Sequence, residues 1–379
     1  MAPRYSFVVC KASGEPVGEA LAAKGRQLTR TLNQPATATL SLQLGGALAP
    51  YVLPGTGRLK VYRAATDAEV QAGIGKTLVF YGSLPTTGLT MDAASDTLTA
   101  VYKDPRWVLE RRFTHGSTGL SAGTTPQEQY AAVAQGQIVM NGSTGLIDVQ
   151  NLRVGGDTWI IPGAISTSTL RDRNYSTQSV AQLIDDLTRV SGGPDLDAVP
   201  FDGYSANIVA PITSRTMAKL NVYDRQGSDR QNAAFAYGPG TLANVQNAQL
   251  TYLDATTVAQ FTGNDANGQP LTSSYGTADS AGLGLLDNVF SDPDVSIQAT
   301  LDQKARGLIA EQSSLRPIIS ISEPLPGAPR FLVDYFIGDT IRVQVVRGAF
   351  TYTGSPRVYD VNMDIDQEGY EKVSMVLST

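Results

Sequence analysis

The stretch Ala36-Thr-Ala-Thr-Leu-Ser-Leu-Gln-Leu44 alternates strictly between apolar and polar residues. Its apolar members share one side of an extended chain, and its hydroxyl and amide side chains share the other. A period of two is typical of a β-strand with one buried face, and it cannot form the apolar stripe of a helix. The run therefore predicts a strand and favours a β fold for the surrounding region.

Further short strands are predicted on both sides of this run, at Tyr5–Cys10, Leu59–Arg63, Thr77–Tyr81 and Asp96–Tyr102. Turns that contain glycine lie beside several of them. Short strands at this spacing are typical of a small antiparallel barrel or sandwich. We therefore predict that residues 1–112 form a first β-barrel domain.

The C-terminal region alternates as clearly as the N-terminal one. Strands are predicted at Pro317–Ser322, Ile341–Val345, Val358–Ile365 and Lys372–Leu377, with a turn at Gln367–Tyr370. In the last of these, every second residue is apolar, which indicates one buried face. This pattern predicts an antiparallel meander, and we assign residues 326–379 to a second β-barrel domain.

The region between the two predicted barrels is mixed. Apolar residues at helical spacing predict helices over about Gln178–Val190 and about Val295–Gln312, and Thr125-Pro126 is a candidate helix start. Strand candidates are Lys219–Tyr223, Ala233–Tyr237 and Ala248–Phe261, while residues 263–284 are predicted to be a loop. We predict an α+β insertion over residues 113–225 and a mixed segment over 226–325 that contributes strands to the barrels. The fold class is thus mainly β, with α+β insertions between two small antiparallel barrels.

Composition excludes several functions. The 379 residues carry a formal net charge of −6, and no cluster of Lys and Arg suits nucleic-acid phosphates, so no sequence-specific nucleic-acid binding is expected. The single cysteine, Cys10, allows neither a disulfide within the chain nor a cysteine-based metal site. We expect no signal peptide and no membrane span, because no stretch approaches the ~20 apolar residues that crossing a bilayer requires.

Two glycine-containing stretches match nucleotide-binding motifs only in part. Gly75-Lys76-Thr77 ends like a phosphate-binding loop, but Val70 stands where that motif requires a small residue, so a hairpin turn is predicted. Gly238-Pro-Gly240-Thr-Leu-Ala243 has the spacing of a dinucleotide-binding fingerprint, but no strong helix pattern follows it. A Gly-Pro-Gly turn is the prediction there.

The candidate metal-binding and catalytic motifs in the sequence are also incomplete. Asp364-Ile-Asp366-Gln-Glu368-Gly369 begins like a calcium loop, but Met375 stands where the twelfth position requires Glu, so a hairpin is predicted. His115 is the only histidine, and no Gly-x-Ser-x-Gly elbow accompanies it. We therefore predict no catalytic residue, no cofactor and no metal site.

Two alternatives remain open at this point. A cell-wall hydrolase needs two carboxylates that flank the scissile bond, and the candidates are the pairs Asp185/Asp186, Asp195/Asp197 and Asp292/Asp294. A solvated helix face is the better explanation of the first pair, because both residues face largely away from the apolar stripe of the predicted helix. A carbohydrate-binding adhesin is suggested by the 16 tyrosines and by the Gly-, Ser- and Thr-rich residues 113–204.

The C-terminal sequence resembles a known family. It runs Phe331-Leu-Val-Asp-Tyr-Phe-Ile-Gly-Asp-Thr-Ile-Arg-Val-Gln-Val345, then Arg357-Val-Tyr-Asp-Val-Asn-Met-Asp-Ile-Asp-Gln-Glu-Gly-Tyr-Glu-Lys-Val-Ser-Met-Val-Leu377. It is similar to the end of the hub domain in tail proteins of long-tailed phages. There a D-Y-x-x-G-D-x-[IV] element precedes the last barrel, and an I-D-x-x-G-x-E hairpin closes it. Residues 32–40, 57–63, 79–82, 104–112 and 237–245 are also similar to that family.

The resemblance implies an architecture like the baseplate hub of contractile tails. Three chains, each with two barrels, would form a pseudo-six-fold ring at the tail tip of the virion, after assembly in the host cytoplasm. The implied partners are a distal tail protein or tail tube ring, a tape-measure protein and a fibre or spike. Because the chain stops at Thr379, directly after the last predicted strand, we expect the fibre or spike to be a separate protein. The resemblance also implies a structural rather than an enzymatic role.

Overall fold

The structure, a computed structural model, is mainly β, as the sequence predicts. The residues that it describes are 4–64, 76–111, 138–141, 146–149, 152–154, 157–166, 179–188, 194–207, 212–253, 255–265, 267–276, 285–292, 295, 298–313, 316–325, 327–367 and 371–378. Within them lie twenty-four strands and two α-helices. The predicted helix start at Thr125-Pro126 lies outside the described residues. None of the described helices is long and apolar enough to cross a membrane.

The N-terminal region forms eight strands. These are β1 (Arg4–Cys10), β2 (Pro16–Glu19), β3 (Gly25–Thr31), β4 (Thr37–Gln43), β5 (Arg58–Ala64), β6 (Thr77–Ser83), β7 (Leu89–Asp92) and β8 (Thr97–Lys103). They are paired antiparallel in the order β2-β1-β5-β6-β8-β4-β3, with β7 beside β8. The predicted alternation of β4 is confirmed, since Ala38, Leu40 and Leu42 are buried. A 3-10 helix, Pro105–Arg111, follows β8.

The first insertion contains two small sheets and one helix. β9 (Ile138–Asn141) pairs with β10 (Leu146–Val149). The second sheet has the order β11-β12-β14-β13, built from β11 (Leu152–Val154), β12 (Asp157–Ser166), β13 (Asp195–Pro200) and β14 (Ala218–Tyr223). Helix α1 (Val180–Thr188) lies between β12 and β13 in the chain. This sheet shares a hydrophobic core with the 3-10 helix and with Tyr81 of β6, so the insertion packs on the outer side of the N-terminal strands.

The second insertion is a small α+β module on a pair of strands. After β15 (Asp229–Tyr237), β16 (Val245–Leu253) leads into β17 (Val258–Asn264), β18 (Pro270–Gly276), β19 (Asp287–Ser291) and helix α2 (Gln298–Gln312). The predicted strand Ala248–Phe261 is therefore two strands, and the predicted loop over 263–284 contains β18, which pairs with β17. One face of β17 packs on α2 in a core of its own, made of Ala259, Phe261, Val295, Leu301, Ala305 and Ile309.

The C-terminal region returns to the main sheet. Its strands are β20 (Arg316–Pro324), β21 (Thr340–Arg347), β22 (Phe350–Gly354), β23 (Arg357–Ile365) and β24 (Glu371–Ser378). β16 pairs with β20, β20 with β24 and β24 with β23, while β15 runs parallel to β21. Buried residues of this region and of the N-terminal region form a single hydrophobic core.

The two predicted barrel regions differ from the expectation in one respect. β3 pairs antiparallel with β23, from Arg26 opposite Ile365 to Thr31 opposite Asp360, so one fifteen-stranded sheet contains both regions. Within the described residues, this sheet is an open path rather than two closed rings. Hydrogen bonds across this junction, such as Thr29 Oγ1 to Asn362 Oδ1 at 2.9 Å, link the two regions. Domain boundaries near 112, 225 and 325 stay a prediction.

Candidate functional site: buried polar clamps and exposed apolar loops

Asp195, a candidate catalytic carboxylate, is a buried clamp between the first insertion and the main sheet. Its Oδ1 accepts a hydrogen bond from Asn33 Nδ2 at 2.9 Å. Its Oδ2 accepts from the backbone N–H of Gln226 at 2.7 Å and forms an ion pair with Arg357. Both carboxylate oxygens are therefore engaged, and the side chain holds the start of β13 beside β3 and β23.

The neighbouring candidates are engaged in the same way. Asp197 forms an ion pair with Arg30 of β3, with 3.0 Å between Oδ1 and Nη2. Asp185 of α1 accepts a hydrogen bond from Gln34 Nε2 at 2.9 Å. Glycoside hydrolysis needs two carboxyl groups that can reach the scissile bond, whereas each of these carboxylates already binds a donor of the same chain. The geometry therefore favours a structural role for them.

The remaining candidate carboxylates do not form a described pair. Asp292 forms an ion pair with Lys304 of α2, within the small module. Asp294 and the side chain of Asp186 lie outside the described residues, and so does His115. The structure thus brings none of the three predicted carboxylate pairs together as two free groups among the residues that it describes.

Lys60 on β5 is fully buried, although it points away from the core of the main sheet. Its Nζ lies 2.8 Å from Asp202 Oδ1, and its side chain is 0% exposed. The ammonium also lies 5.0 Å from the ring centre of Tyr81 and 5.5 Å from that of Tyr204. A buried charge requires a partner of this kind, and aromatic faces add to its stabilisation. The first insertion thus covers this face of β5.

Arg58, two residues earlier on the same face, makes equivalent contacts. Its guanidinium donates to the carbonyl oxygen of Arg215 at 2.9 Å and to the hydroxyl of Tyr81 at 3.3 Å. It also lies 5.2 Å from the ring centre of Trp159. Burial raises the pKa of Tyr81 to about 12, so its hydroxyl stays protonated at neutral pH. These two cations therefore contribute no basic surface.

The exit from the N-terminal strands is fixed by a buried ion pair. Arg106 Nη2 lies 2.8 Å from Asp104 Oδ2, and both side chains are less than a tenth exposed. Asp104 also accepts from the backbone N–H of Ala36 at 2.7 Å. Arg106 donates in addition to the carbonyl oxygen of Leu196 in the first insertion at 3.3 Å. The pair therefore connects β8, the entry to β4 and the insertion.

The D-Y-x-x-G-D element forms the turn before β21, as predicted. Asp339 is buried and accepts from the backbone N–H groups of Ser228 at 2.7 Å and Phe336 at 2.8 Å, and from Arg230 Nε at 3.2 Å. Gly338 has φ +88°, and a Cβ there would lie 2.7 Å from the carbonyl oxygen of Gln226. The glycine permits the close approach, and the aspartate then binds both chain segments.

Tyr335 of the same element belongs to the core. Its ring is fully buried and lies 5.5 Å, centre to centre, from those of Phe235 and Phe331. The contact with Phe235 is edge-to-face, the arrangement that aromatic pairs favour. The tyrosine therefore packs β15 against the segment that precedes β21.

The two nucleotide-like motifs have the geometry of turns or strands. Gly238 and Gly240 have φ values of +105° and +78°, and β16 rather than a helix follows them. A dinucleotide-binding fingerprint requires that helix, because its N-terminus faces the pyrophosphate. Thr77 begins β6, so the second motif also runs into a strand. Gly75 lies outside the described residues.

The calcium-like segment lies at the end of β23. Asp364 accepts from Gln27 Nε2 of β3 at 3.0 Å, and the carbonyl oxygen of Asp366 accepts from Arg26. Both contacts belong to the junction between β3 and β23, and residues 368–370 lie outside the described part. Among the residues with described positions, no three His, Cys, Asp or Glu side chains are grouped to hold a metal ion.

Large apolar side chains are exposed at one end of the C-terminal region. Leu242 is 94% exposed and Phe350 is 74% exposed. They share this end because β15 and β21 are parallel, with Tyr237 opposite Val345. Leu242 lies in the loop after β15, and Phe350 begins β22, directly after the turn that follows β21. The loop after β15 lies against the end of β21, since a Cβ on Gly238 would lie 1.8 Å from the carbonyl oxygen of Val346.

The fold matches solved structures over nearly the whole chain. The tail protein from Neisseria meningitidis MC58 has a TM-score of 0.53 at 11% identity, covering 100% of this chain and 97% of that one. The 43 kDa tail protein of prophage MuSo2 from Shewanella oneidensis has a TM-score of 0.52 at 9% identity, covering 98% of each chain. Prophage tail protein gp18 from Listeria monocytogenes EGD-e has a TM-score of 0.51 at 11% identity, covering 98% of this chain and 94% of that one.

The chain has the fold of a phage tail protein. No family model and no curated protein matches it, so the likeness is one of structure rather than of sequence. The resemblance predicted from the C-terminal sequence is thereby confirmed for the fold. Within this fold, Asp195, Lys60 and Arg106 hold the first insertion on the main sheet, and Asp339 ties β15 to the turn before β21.

Proposed function

We propose that the chain is a structural hub of a bacteriophage tail tip. The observation that carries the proposal is the match of its fold to three phage tail proteins, which covers at least 98% of this chain and 94% of each of theirs. The match includes both strand-rich regions and the insertions between them. Because a fold hosts many functions, the described site also matters, and it consists of clamps and exposed loops rather than free reactive groups.

The proposed assembly is a homotrimer in which two strand-rich regions per chain give a pseudo-six-fold ring. One side of the ring would contact the tail tube or a distal tail protein, and the other a separate fibre or spike. Support comes from the β3–β23 pairing, because a ladder of hydrogen bonds fixes the two regions relative to each other. The net charge of −6 suits a lumen through which DNA and a tape-measure protein pass without binding.

The oligomeric state and the virion location test this proposal directly. The purified chain should have the mass of three chains at micromolar concentration in sedimentation velocity. Electron micrographs should show a ring with three-fold symmetry, and antibodies against the chain should label the tail tip of virions. A chain that stays monomeric and is absent from virions would contradict the proposal.

The enzymatic and adhesin alternatives are less well supported. The described carboxylates Asp185, Asp195, Asp197 and Asp292 all bind donors of the same chain. We therefore expect no clearing of host cell wall in zymography. Clearing that is abolished by Asp→Asn variants would instead support the hydrolase hypothesis. Binding of the purified chain to host glycans on an array would favour the adhesin.

A further inference from the structure

β16 is an edge strand without the usual protection against pairing. Among the described strands it pairs only with β20, in a continuous register from Val245 opposite Pro324 to Leu253 opposite Arg316. Its sequence, Val-Gln-Asn-Ala-Gln-Leu-Thr-Tyr-Leu, contains no charged residue and no proline, and its pairing shows no bulge. Natural proteins protect free edges with charged residues, prolines or bulges, because the unpaired backbone groups of an edge can pair with strands of other chains.

Two other edges of the same sheet are protected. β2 has four residues, of which Pro16 removes a backbone donor and Glu19 adds a charge. β7 also has four residues and ends at Asp92. The protection is therefore selective, and an unprotected nine-residue edge on the same molecule indicates a strand that is covered in the assembled protein.

β22 is the second unprotected edge. It has the sequence Phe-Thr-Tyr-Thr-Gly, again without charge or proline, and among the described strands it pairs mainly with β21. Its first residue, Phe350, is 74% exposed, and Tyr252 on β16 is 54% exposed. Both edges thus combine unpaired backbone with an exposed aromatic side chain, the combination that stabilises cross-strand pairs.

We propose that β16 of one copy pairs with β22 of the next copy and so forms the ring contact. This inference rests on the proposed trimer. A second copy is the occupant that the two edges favour, because one repeated contact covers both edges of every chain, whereas an unrelated partner on β16 would leave β22 uncovered. A contact between two different surfaces of the same chain is heterologous, and such contacts form a ring when the rotation from copy to copy closes, as the proposed trimer requires.

Two charge variants and a matched control test the pairing. Gln249→Lys places a charge on β16, and Thr351→Lys places one on β22, both at exposed positions. Gln344→Lys is the control, because Gln344 is also exposed but lies on β21, which has β15 on one side and β22 on the other. We expect each edge variant to raise the dissociation constant of the trimer at least about tenfold, as measured by sedimentation velocity. The control should leave that constant unchanged. Thermal unfolding of each variant checks that it folds.

Cross-linking then identifies the two edges. A short bis-maleimide should convert the Thr251→Cys, Thr353→Cys double variant into covalent dimers and trimers, while each single variant should remain uncross-linked. Cys10 is buried and does not compete. If the chain is trimeric, but the edge variants do not weaken the trimer and the double variant is not cross-linked, the edge pairing is wrong and the hub proposal stands. If the unmodified chain is never trimeric, the hub proposal itself fails.

Discussion

Lys60 shows how a single residue depends on a distant part of the chain. It lies between Leu59 and Val61, which are buried in the main core, so its own side chain points to the opposite face of the sheet. Without the first insertion this position would be solvated. The first insertion instead supplies Asp202 and Tyr204, and the ammonium becomes fully buried. The stability of the N-terminal strands is thereby coupled to the docking of the insertion.

Removing the carboxylate of this pair should lower the free energy of unfolding more than removing the ammonium. Asp202→Asn leaves a buried ammonium without a counter-charge, and we expect a loss of about 3 kcal/mol in the free energy of unfolding. Lys60→Met leaves the Asp202 carboxylate, which is partly exposed and still accepts from the backbone N–H of Tyr204 and the hydroxyl of Ser205, so this change should cost only about 1 kcal/mol. Urea unfolding of the two variants measures both values. Equal losses in the two variants would show that the ion pair is not buried as described.

Cys10 predicts a loss of stability at alkaline pH. Burial raises the pKa of its thiol from 9.0 to about 11, so the folded protein holds this proton more tightly than the unfolded chain does. The contribution is fully present below pH 9, and it is lost as the pH rises from 9 to 11, where only the unfolded thiol ionises. In urea unfolding, the parent chain should therefore lose more stability across that range than the Cys10→Ala variant. Parallel pH profiles would contradict this expectation.

Individual site residues were predictable only where the signal is local. The turn at Gly338-Asp339 follows from its sequence, because it precedes an alternating strand. The clamp of Asp195 on Asn33 and Arg357 does not, since these residues lie more than 160 positions apart. Spacing along the chain contains no information about which donor a carboxylate meets across such a distance. From the sequence alone, the pairs Asp195/Asp197 and Asp292/Asp294 therefore stay candidates for chemistry, although two carboxylates are a permissive pattern.

At the scale of elements, the loop between β15 and β16 depends on one glycine. Gly238 has a positive φ, and a Cβ there would overlap the carbonyl oxygen of Val346. Asn244 closes the loop by accepting from the backbone N–H of Ala236 at 2.8 Å and donating to the carbonyl oxygen of Ala234 at 2.8 Å. The close contact places this loop directly against the end of β21.

Two neighbouring glycines provide a matched test of this contact. Gly240 also has a positive φ, but no atom lies within 4 Å of its hypothetical Cβ. Gly240→Ala should therefore cost about 1 kcal/mol from backbone strain alone. Gly238→Ala should cost at least about 3 kcal/mol, because a steric overlap is added to the same strain. Thermal unfolding of both variants measures the two losses of stability. Equal losses would contradict the steric overlap at Gly238.

Strands with strong alternation were predictable, and polar or interrupted ones were not. The predicted strands around β4, β21, β23 and β24 are confirmed, because each buries every second residue. β18, Pro-Leu-Thr-Ser-Ser-Tyr-Gly, has few large apolar residues, since only part of its face meets α2. The predicted strand over 248–261 ends early because the chain turns at the buried residues Thr256 and Thr257. Such turns depend on tertiary contacts rather than on local pattern.

At the scale of the whole molecule, we expect the small α+β module to fold independently of the main sheet. It has its own core, and the chain enters it after Leu253 and leaves it before Arg316, which are opposite each other on β16 and β20. Paired residues of this kind lie about 5 Å apart. The entry and exit points could therefore be joined directly by a tight turn.

Deleting the module should leave the main sheet intact. We expect a chain in which Asn-Gly replaces residues 254–315 to fold with a thermal midpoint close to that of the parent, because a two-residue hairpin suits antiparallel strands. Deleting residues 157–223 should instead destabilise the protein strongly, since it exposes Lys60 and Arg58. Circular dichroism melts of the two deletions measure the difference. Loss of cooperative unfolding in the first deletion would contradict the independence of the module.

The β3–β23 ladder has a consequence for how the protein is made. Thr29 and Asn362, which bond across it, are 333 residues apart, so β3 leaves the ribosome long before its partner exists. Pairing of such distant segments is slow and exposes intermediates to aggregation. Until β23 is synthesised, the nascent chain carries an open edge at the centre of its future sheet. Only a chain translated through β23 closes that edge, so a chain truncated before β23 would keep it open.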